Sequence, residues 1–344
     1  MIRFNNDYNH GAHPDILAAL SATNDESYGG YGLDTWCEKA ALEIKKYLDC
    51  PKAAVHFLVG GTQANFTVIA AALRPFQSVI CADTGHIHVH ETGAVENTGH
   101  KILALPSKDG KITAQQIAAE AELYRTSGVQ EHITQPKMVY ISFPTEYGTV
   151  YTLEELTDIH VVCREYGLYL FIDGARLGYG LAAQGGDVTI KDIARLCDVF
   201  YCGGTKCGAL FGEAVVFPSP QLAVDFRSYI KQNGAMLAKG WLLGLQFYTL
   251  FKDGLYFDIT KKAVSCAMQI KQAFAEKEIP AYIDSPTNQQ FVVLENSVME
   301  KLAQKYIFEY ELKVDETHSC VRFCTSWSTT QEEVDALVND IRAL

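Results

Sequence analysis

One lysine, Lys206, leaves an apolar segment and enters a loop that is rich in glycine. The segment 198–202 has the composition of a buried strand, and the loop contains Gly203, Gly204 and Gly208. Small residues let a ligand approach the backbone closely, and a lysine held away from bulk water has a lowered pKa. Such an amine is suited to Schiff-base chemistry with a carbonyl compound. A solvated loop lysine is the alternative, because most lysines are exposed.

A carboxylate, Asp173, follows a second apolar segment, 168–172. Ligands of α/β sheets bind at the carboxyl ends of the strands, so Asp173 and Lys206 are expected at one sheet edge. An ionised carboxylate buried there needs a cationic partner. The sequence leaves two partners open, namely Arg176 in a structural ion pair or the protonated ring nitrogen of a ligand.

A glycine turn, Gly60-Gly61-Thr62-Gln63, lies between a predicted strand at 53–59 and an apolar helical segment. Free N–H groups and the helix dipole at such a turn favour an anion, for example a phosphate. The turn matches neither a Walker loop nor a G-x-G-x-x-G dinucleotide turn. A capped turn in which Thr62 begins the helix is the alternative.

Three alternating histidines, His86, His88 and His90, are the only pattern that suggests a metal site. Because no second group of ligands accompanies them, we expect no metal here. A His86 that stacks on a flat ring explains the pattern more simply.

Two further charged residues are candidates. Glu146 follows the predicted strand 137–143 and is either a general base or a loop carboxylate. Arg322 lies within an apolar segment, where its guanidinium needs a carboxylate from the protein or from a substrate.

The elements that position these residues alternate between strand and helix, which predicts a largely parallel sheet covered by helices. A helix is predicted at 36–48, and residues 1–35 have little regular pattern. The predicted strands of this part are 53–59, 78–82, 100–105, 137–143, 168–173, 198–202 and 213–217. We therefore predict an N-terminal arm and large domain over residues 1–248.

The pattern is sparser in the last third of the chain. It predicts a helix at 258–278, strands at 290–295 and 320–325, and a closing helix from Thr330. These elements predict a smaller α+β domain over 249–344.

Composition excludes several classes of protein. The chain has 344 residues and a net charge of −12, which argues against a nucleic-acid-binding surface. The start lacks a signal-peptide pattern, and the apolar segment 235–251 is short for a bilayer, so we interpret it as a buried helix. Ten cysteines without C-x-x-C pairs indicate reduced thiols. We expect a cytoplasmic enzyme that binds neither membrane nor nucleic acid.

Together these motifs resemble the pyridoxal-phosphate enzymes of the aspartate-aminotransferase fold, and more closely their branch of low-specificity L-threonine aldolases and β-eliminating lyases. The resemblance covers nearly the whole chain. In chain order, the motifs are Gly60-Gly-Thr-Gln-Ala-Asn65, Gly85-His86 with Glu91-Thr-Gly-Ala94, Asp173-Gly-Ala-Arg176, Gly204-Thr-Lys206 and Val321-Arg322. The resemblance implies an α/β large domain that binds pyridoxal 5'-phosphate and a smaller C-terminal α+β domain.

The resemblance also implies roles for the cofactor contacts. Lys206 would form the Schiff base, Asp173 would pair with the ring nitrogen, and His86 would stack on the ring. The implied phosphate contacts are Gly61, Thr62 and Thr205.

Substrate contacts are implied in the same way. Arg322 resembles the main carboxylate anchor, with Asn6 assisting, and Arg176 would bind near the cofactor oxygen or the substrate carboxylate. Tyr31 and Lys231 match positions that enter the site from a neighbouring subunit, which implies a homodimer or homotetramer.

The implied reaction cleaves L-threonine, L-allo-threonine or a related β-hydroxy-α-amino acid to glycine and an aldehyde. Threonine aldolases commonly carry a histidine where this chain has Glu146, whose carboxylate could accept the hydroxyl proton or mark a different substrate. Three alternatives remain open: β-elimination or amino transfer with the same cofactor, metal-dependent hydrolysis at the histidine cluster, and binding without catalysis.

Overall fold

The computed structural model describes all residues from Met1 to Leu344. The strands are β1 Ile2–Arg3, β2 Ala54–Leu58, β3 Gln77–Ala82, β4 Lys101–Leu105, β5 Gln135–Ser142, β6 Tyr169–Asp173, β7 Val199–Gly203, β8 Glu213–Phe217, β9 Ala281–Ile283, β10 Gln289–Glu295, β11 Tyr306–Ile307, β12 Glu309–Lys313 and β13 His318–Cys324. The helices are α1 Pro14–Ala22, α2 Thr35–Leu48, α3 Gly61–Ala72, α4 His86–Val89, α5 Ala114–Arg125, α6 Leu153–Tyr166, α7 Leu177–Leu181, α8 Ile190–Leu196, α9 Phe226–Gln232, α10 Trp241–Phe251, α11 Leu255–Glu276, α12 Asn296–Ala303 and α13 Gln331–Arg342. Short 3-10 turns occur at Glu96–Thr98, Gln130–His132 and Pro220–Ala223.

A seven-stranded sheet in the order β2-β8-β7-β6-β5-β3-β4 forms the centre of the molecule. Neighbouring strands are parallel except β8, which is antiparallel to both β2 and β7. The seven strands predicted from the sequence are therefore confirmed, with small shifts at their ends. Because β8 runs in reverse, its first residue, Glu213, lies beside Gly203 at the carboxyl end of β7.

Helices cover both faces of this sheet, which explains why its strands are continuous apolar runs. Strands β3, β7 and β8 are buried along their whole length. Helix α6 begins with a capping box, in which the Thr152 side chain accepts from the Glu155 backbone and the Glu155 side chain accepts from Thr152. It ends at Gly167, whose φ of 64° favours glycine.

The C-terminal third contains a four-stranded antiparallel sheet in the order β12-β13-β10-β9. Helices α11 and α13 pack together beside it. The first half of α11 contributes Tyr256 and Ala263 to the core of the large sheet, and its second half contributes Ile270 and Phe274 to the core of the small one. A smaller α+β region is thus present, and the division between residues 248 and 249 stays a prediction.

Residues 1–35 contain more regular structure than the sequence predicted. Strand β1 pairs in parallel with β11, and α1 begins with Pro14 at its first turn. Only Ile16 of α1 is buried. The other apolar residues of this short helix, such as Leu17, are not gathered on one buried face, so no helical periodicity indicates it. Segment 235–251 is helical only in α10, which is buried along most of its length, and no helix is both long and apolar enough to cross a membrane.

Candidate active site

A cavity of about 330 Å³ opens at the carboxyl ends of β6 and β7. The sequence-predicted residues that line it are Gly61, Thr62, His86, Glu146, Asp173, Arg176, Thr205 and Lys206. Glu146 lies in the loop after β5, Gly61 is the first residue of α3, and Glu213 is the first residue of the reversed strand β8. The expectation that one sheet edge gathers these residues is confirmed.

The Lys206 side chain is partly buried in this cavity, and its ammonium group makes no hydrogen bond or ion pair within the chain. Burial lowers the pKa of Lys206, and the Arg176 charge lowers it further. The carboxylates of Asp7, Asp173 and Glu213 act in the opposite direction without restoring the ordinary value. Lys206 therefore has a larger neutral fraction than a solvated lysine.

Asp173 is buried, and both oxygens of its carboxylate accept hydrogen bonds. Its Oδ2 accepts from the Tyr140 hydroxyl at 2.5 Å and from Asn65 Nδ2 at 3.0 Å, and its Oδ1 accepts from the Ala175 N–H at 2.9 Å. Burial raises the pKa of Asp173, but the nearby His86 charge and these hydrogen bonds outweigh it, so the pKa is lowered overall. Asp173 remains ionised at neutral pH.

Arg176 is not the partner of Asp173. Its Nε donates to Asp7 Oδ2 at 2.6 Å and its Nη2 donates to Asp7 Oδ1 at 3.0 Å. The structural ion pair between Arg176 and Asp173 left open by the sequence is therefore wrong. Arg176 lies three residues after Asp173 in the sequence, which suggested that pair. Asp7 is 169 positions away and reaches Arg176 only because the N-terminal arm folds back onto the site.

His86 begins the short helix α4, and its ring joins a buried network. Nδ1 lies 2.7 Å from Glu91 Oε1, which also accepts from Asn65 Nδ2 at 2.7 Å. Burial lowers the pKa of His86, but the Glu91 hydrogen bond and the negative charges of Asp173 and Glu91 raise it overall. The ring is therefore protonated more readily than a free imidazole, and Asn65 bonds to both Glu91 and Asp173.

The other two histidines do not complete a metal site. The His86 and His90 rings lie 5.5 Å apart, and His88 is exposed. No group of three or more His, Cys, Asp or Glu side chains is arranged to hold a metal ion.

Glu146 is oriented by two donors. Its Oε1 accepts from the Ser142 hydroxyl at 2.6 Å and from the His86 N–H at 3.0 Å. Burial raises the pKa of Glu146 and the Asp173 charge adds to this effect, while Ser142 and His86 oppose it without cancelling it. Glu146 is thus a better proton acceptor than an ordinary carboxylate, and not a solvated loop residue.

The glycine turn lies at the start of α3, where no side chain caps the helix. Gly60, Gly61 and Thr62 line the cavity, and the N–H groups of the first turn of α3 have no partner within the helix. The Thr205 hydroxyl accepts from the Gly212 N–H and donates to Glu213 Oε1, both at 3.0 Å. Burial raises the pKa of Glu213 to about 8, so this side chain holds a proton at neutral pH.

Four predicted residues lie outside the lining of the cavity. Asn6 Oδ1 accepts from the Tyr8 N–H at 3.0 Å. Arg322 Nη1 lies 3.4 Å from Glu311 Oε1, and its Nη2 donates to the Asn5 carbonyl at 3.3 Å. The predicted substrate roles of Asn6 and Arg322 stay predictions.

Tyr31 and Lys231 meet each other instead, with the Lys231 ammonium 5.1 Å from the centre of the Tyr31 ring. Both side chains are exposed. Tyr31 borders a larger cavity, of about 710 Å³, away from Lys206. Their predicted entry into a neighbouring subunit's site stays a prediction.

Sequence reasoning assigned no role to several side chains that complete the site: Asp7, Tyr8, Tyr140, Ser142, Tyr201 and Glu213. Only Glu213 gave a signal, since it is a carboxylate at the start of an otherwise apolar strand. The others look like ordinary strand or arm residues until the sheet is assembled.

The cavity fits the cofactor that the resemblance implies. An amine without a partner, an ionised buried carboxylate and an uncapped helix start are the three groups needed to hold an aldehyde, a ring nitrogen and a phosphate. They come from different elements and converge on one cavity.

Comparison with known proteins agrees with this geometry. A Pseudomonas protein described as a low specificity L-threonine aldolase is 32% identical over 99% of this chain and 97% of its own length. The solved structure of a threonine aldolase from Leishmania major is 42% identical, covers 100% of this chain and 99% of its own, and superposes with a TM-score of 0.96.

The fold extends to more distant enzymes. A mutant aspartate aminotransferase from Thermus thermophilus is 13% identical and superposes with a TM-score of 0.69 over 100% of this chain and 92% of its own. This likeness shows the fold of the fold type I pyridoxal-phosphate enzymes. The family model described as "Beta-eliminating lyase" matches residues 14–304, and the chain therefore belongs to the beta-eliminating lyase family.

Proposed function

We propose that this protein is a pyridoxal-phosphate-dependent aldolase that cleaves L-threonine, L-allo-threonine or a related β-hydroxy-α-amino acid to glycine and an aldehyde. The observation that carries the proposal is the placement of the Lys206 amine in one cavity with two acids of opposite character. Asp173 has a lowered pKa and Glu146 a raised one. Such a separation lets one acid stay ionised while the other exchanges protons.

Residues of this chain would hold the cofactor. Lys206 would bind it covalently, Asp173 would accept a hydrogen bond from its ring nitrogen, and His86 would stack on its ring. The N–H groups at Gly61 and Thr62 would bind its phosphate. When bound, pyridoxal phosphate supplies an electron sink for the pair released at the α-carbon of the amino acid.

Glu146 is the base for the side-chain hydroxyl of the substrate. Ser142 and the His86 N–H both bond to Oε1, which fixes the carboxylate. The raised pKa of Glu146 favours uptake of the hydroxyl proton, and the same carboxyl can pass that proton to the α-carbon after the Cα–Cβ bond has broken, which balances the release of glycine and the aldehyde. A histidine at this position would do the same task with a different resting charge.

The substrate carboxylate binds to the arginines. Arg176 lines the cavity, and its Nη1 makes no hydrogen bond within the chain. Arg322 has a buried Nε without a partner, which supports the role of this guanidinium as an anchor. An amino acid held at its carboxylate keeps a fixed orientation about the α-carbon, and orientation contributes several kcal/mol to such reactions.

The direct test is incubation of the loaded enzyme with L-threonine and with L-allo-threonine, followed by measurement of acetaldehyde and glycine. Equal amounts of the two products are expected, together with no turnover by K206A. Absence of both products with every β-hydroxy-α-amino acid tried would refute the proposal.

β-Elimination is the second candidate, because it is the reaction in the family's own description. It would release ammonia and pyruvate from L-serine or L-cysteine. Measuring pyruvate beside acetaldehyde on one enzyme sample separates the two reactions, and transfer of an amino group to a keto acid would reveal an aminotransferase.

We further propose a homodimer or homotetramer in which Tyr31 and Lys231 complete the neighbouring subunit's site. The exposure of apolar side chains beside them supports this, since Leu33 is 71% exposed and Tyr31 is 48% exposed. We also propose a cytoplasmic location, because the ten cysteines are free and most are buried, as is typical of a reducing compartment.

A further inference from the structure

Asp7 is a fully buried charge in the N-terminal arm. Its side chain is 0% exposed, and both of its oxygens bond to the Arg176 guanidinium in a fork-to-fork arrangement. Two parallel charge-assisted bonds fix the plane of a guanidinium as well as its position. The Arg176 side chain is 15% exposed, so part of it still reaches the cavity.

This pairing divides the donors of Arg176 into two groups. The Nε and Nη2 edge is bound to Asp7, whereas Nη1 makes no hydrogen bond within the chain. An arginine presents two edges to carboxylates, and only one of them is taken here. The remaining edge is therefore held in place by a protein carboxylate and is available to a second carboxylate.

Asp7 also fastens the N-terminal arm to the small sheet. Its Oδ2 accepts from Asn288 Nδ2 at 3.0 Å. Two residues before Asp7, the Asn5 carbonyl accepts from Arg322 Nη2 at 3.3 Å, and the Phe4 carbonyl accepts from the Cys324 N–H at 2.6 Å. The arm thus contacts both arginines that were predicted to bind the substrate.

We infer that Asp7 is a positioning residue, which orients Arg176 so that its free edge receives the carboxylate of the amino-acid substrate. The inference rests on the proposed function for the identity of that carboxylate. Without Asp7, Arg176 keeps its charge but loses the two bonds that fix its plane. The protein then no longer prefers a ligand with a carboxylate, whereas its affinity for an amine without a carboxylate is unchanged.

The test compares two ligands on the loaded enzyme. Glycine and methylamine differ only in the carboxylate and neither has a Cα–Cβ bond to cleave, so the ratio of their affinities, measured by titration of the visible absorbance, reports on carboxylate binding alone. D7N is expected to lower this ratio about tenfold or more, since it removes charge-assisted bonds. D25N, which changes an exposed acid near the same arm, is the matched control and is expected to leave the ratio unchanged.

A second variant distinguishes two roles of Asp7, namely the orientation of Arg176 and the attachment of the N-terminal arm. N288A removes the bond to the small sheet but leaves the ion pair with Arg176. Hydrogen exchange of residues 2–13 in the cofactor-free protein is expected to accelerate in N288A and in D7N, whereas the affinity ratio should fall only in D7N. If D7N does not fold, D7E is used, because the longer acid keeps the charge yet displaces the guanidinium.

The results that would overturn the inference differ from the result that would refute the proposed function. An affinity ratio in D7N or D7E within about twofold of wild type would overturn the inference, as would an equal loss of affinity for both ligands, which indicates a structural role. Failure of the wild type to cleave any β-hydroxy-α-amino acid would refute the proposed function instead, while the affinity ratio would still decide the role of Asp7.

Discussion

Glu213, the first residue of β8, should make the free energy of unfolding depend on pH. Glu213 has an ordinary pKa of 4.5, and burial raises it to about 8 in the cofactor-free chain. Its hydrogen bond from Thr205 and the charge of Lys206 lower the pKa, and Asp173 raises it, so burial is the dominant cause. Cys202, Cys207 and Tyr201 are the other titratable groups that sense it.

A raised acid pKa means that the folded chain keeps a proton that the unfolded chain releases. The stability contributed by protonated Glu213 is complete below pH 4.5 and is lost progressively as the pH rises towards 8. One pKa unit corresponds to about 1.4 kcal/mol, so the loss across this interval is about 3 to 5 kcal/mol. The change levels off about one unit above pH 8, where Glu213 is ionised in both the folded and the unfolded chain.

E213Q removes this dependence because the amide stays neutral and its oxygen can still accept from Thr205. The free energy of unfolding of E213Q relative to wild type should therefore increase with pH, by about 3 to 5 kcal/mol between pH 5 and pH 8. Urea unfolding of the cofactor-free proteins, monitored by circular dichroism at half-unit pH steps, measures the difference. E309Q, a change on the exposed strand β12, is the control and should show a flat difference.

A flat difference for E213Q would refute this reasoning. It would show that folding does not raise the pKa of Glu213, so that this carboxyl is ionised at neutral pH in the folded chain as well as in the unfolded one. The lowered pKa of Lys206 would then be wrong as well, because a protonated Lys206 beside an ionised Glu213 stabilises both charges.

The remaining predictions concern the site itself. K206A should lose the visible absorbance of the bound cofactor that survives dialysis, and a spectrum unchanged from wild type would exclude Lys206 as the tether. D173N should reduce kcat about 100-fold or more with the cofactor still bound, and full activity would exclude the ring-nitrogen contact. Since the pKa of Glu146 is raised, kcat/KM should fall as the pH drops through that pKa, and E146Q should lose this acidic limb. Mixing inactive K206A with inactive K231A should restore about a quarter of the activity if subunits share sites, whereas no recovery would contradict sharing.

Two acids that line the cavity with Lys206, Asp173 and Glu146, have pKa shifts of opposite sign. Asp173 and Glu146 follow neighbouring parallel strands and are both deeply placed. Three donors and the His86 charge act on Asp173, and its pKa falls, whereas burial dominates at Glu146, and its pKa rises. The same functional group therefore serves as a fixed charge in one place and as a proton acceptor in the other.

The sequence by itself determined the strands of the central sheet, because their apolar runs and the glycine turns after them are local signals. It also determined that Lys206, Asp173 and Glu146 share one edge, since parallel strands place their carboxyl ends together. These inferences needed only spacing along the chain.

Only the tertiary structure determined which charged side chains form ion pairs and which strands are neighbours. Arg176 binds Asp7 across 169 positions of the chain, and no local pattern encodes a contact of that range. The reversal of β8, which brings Glu213 beside the end of β7, likewise depends on how strands pair in space. Hydrophobic periodicity specifies which residues are buried, but the partner of a buried charge and its resulting pKa depend on packing between distant segments.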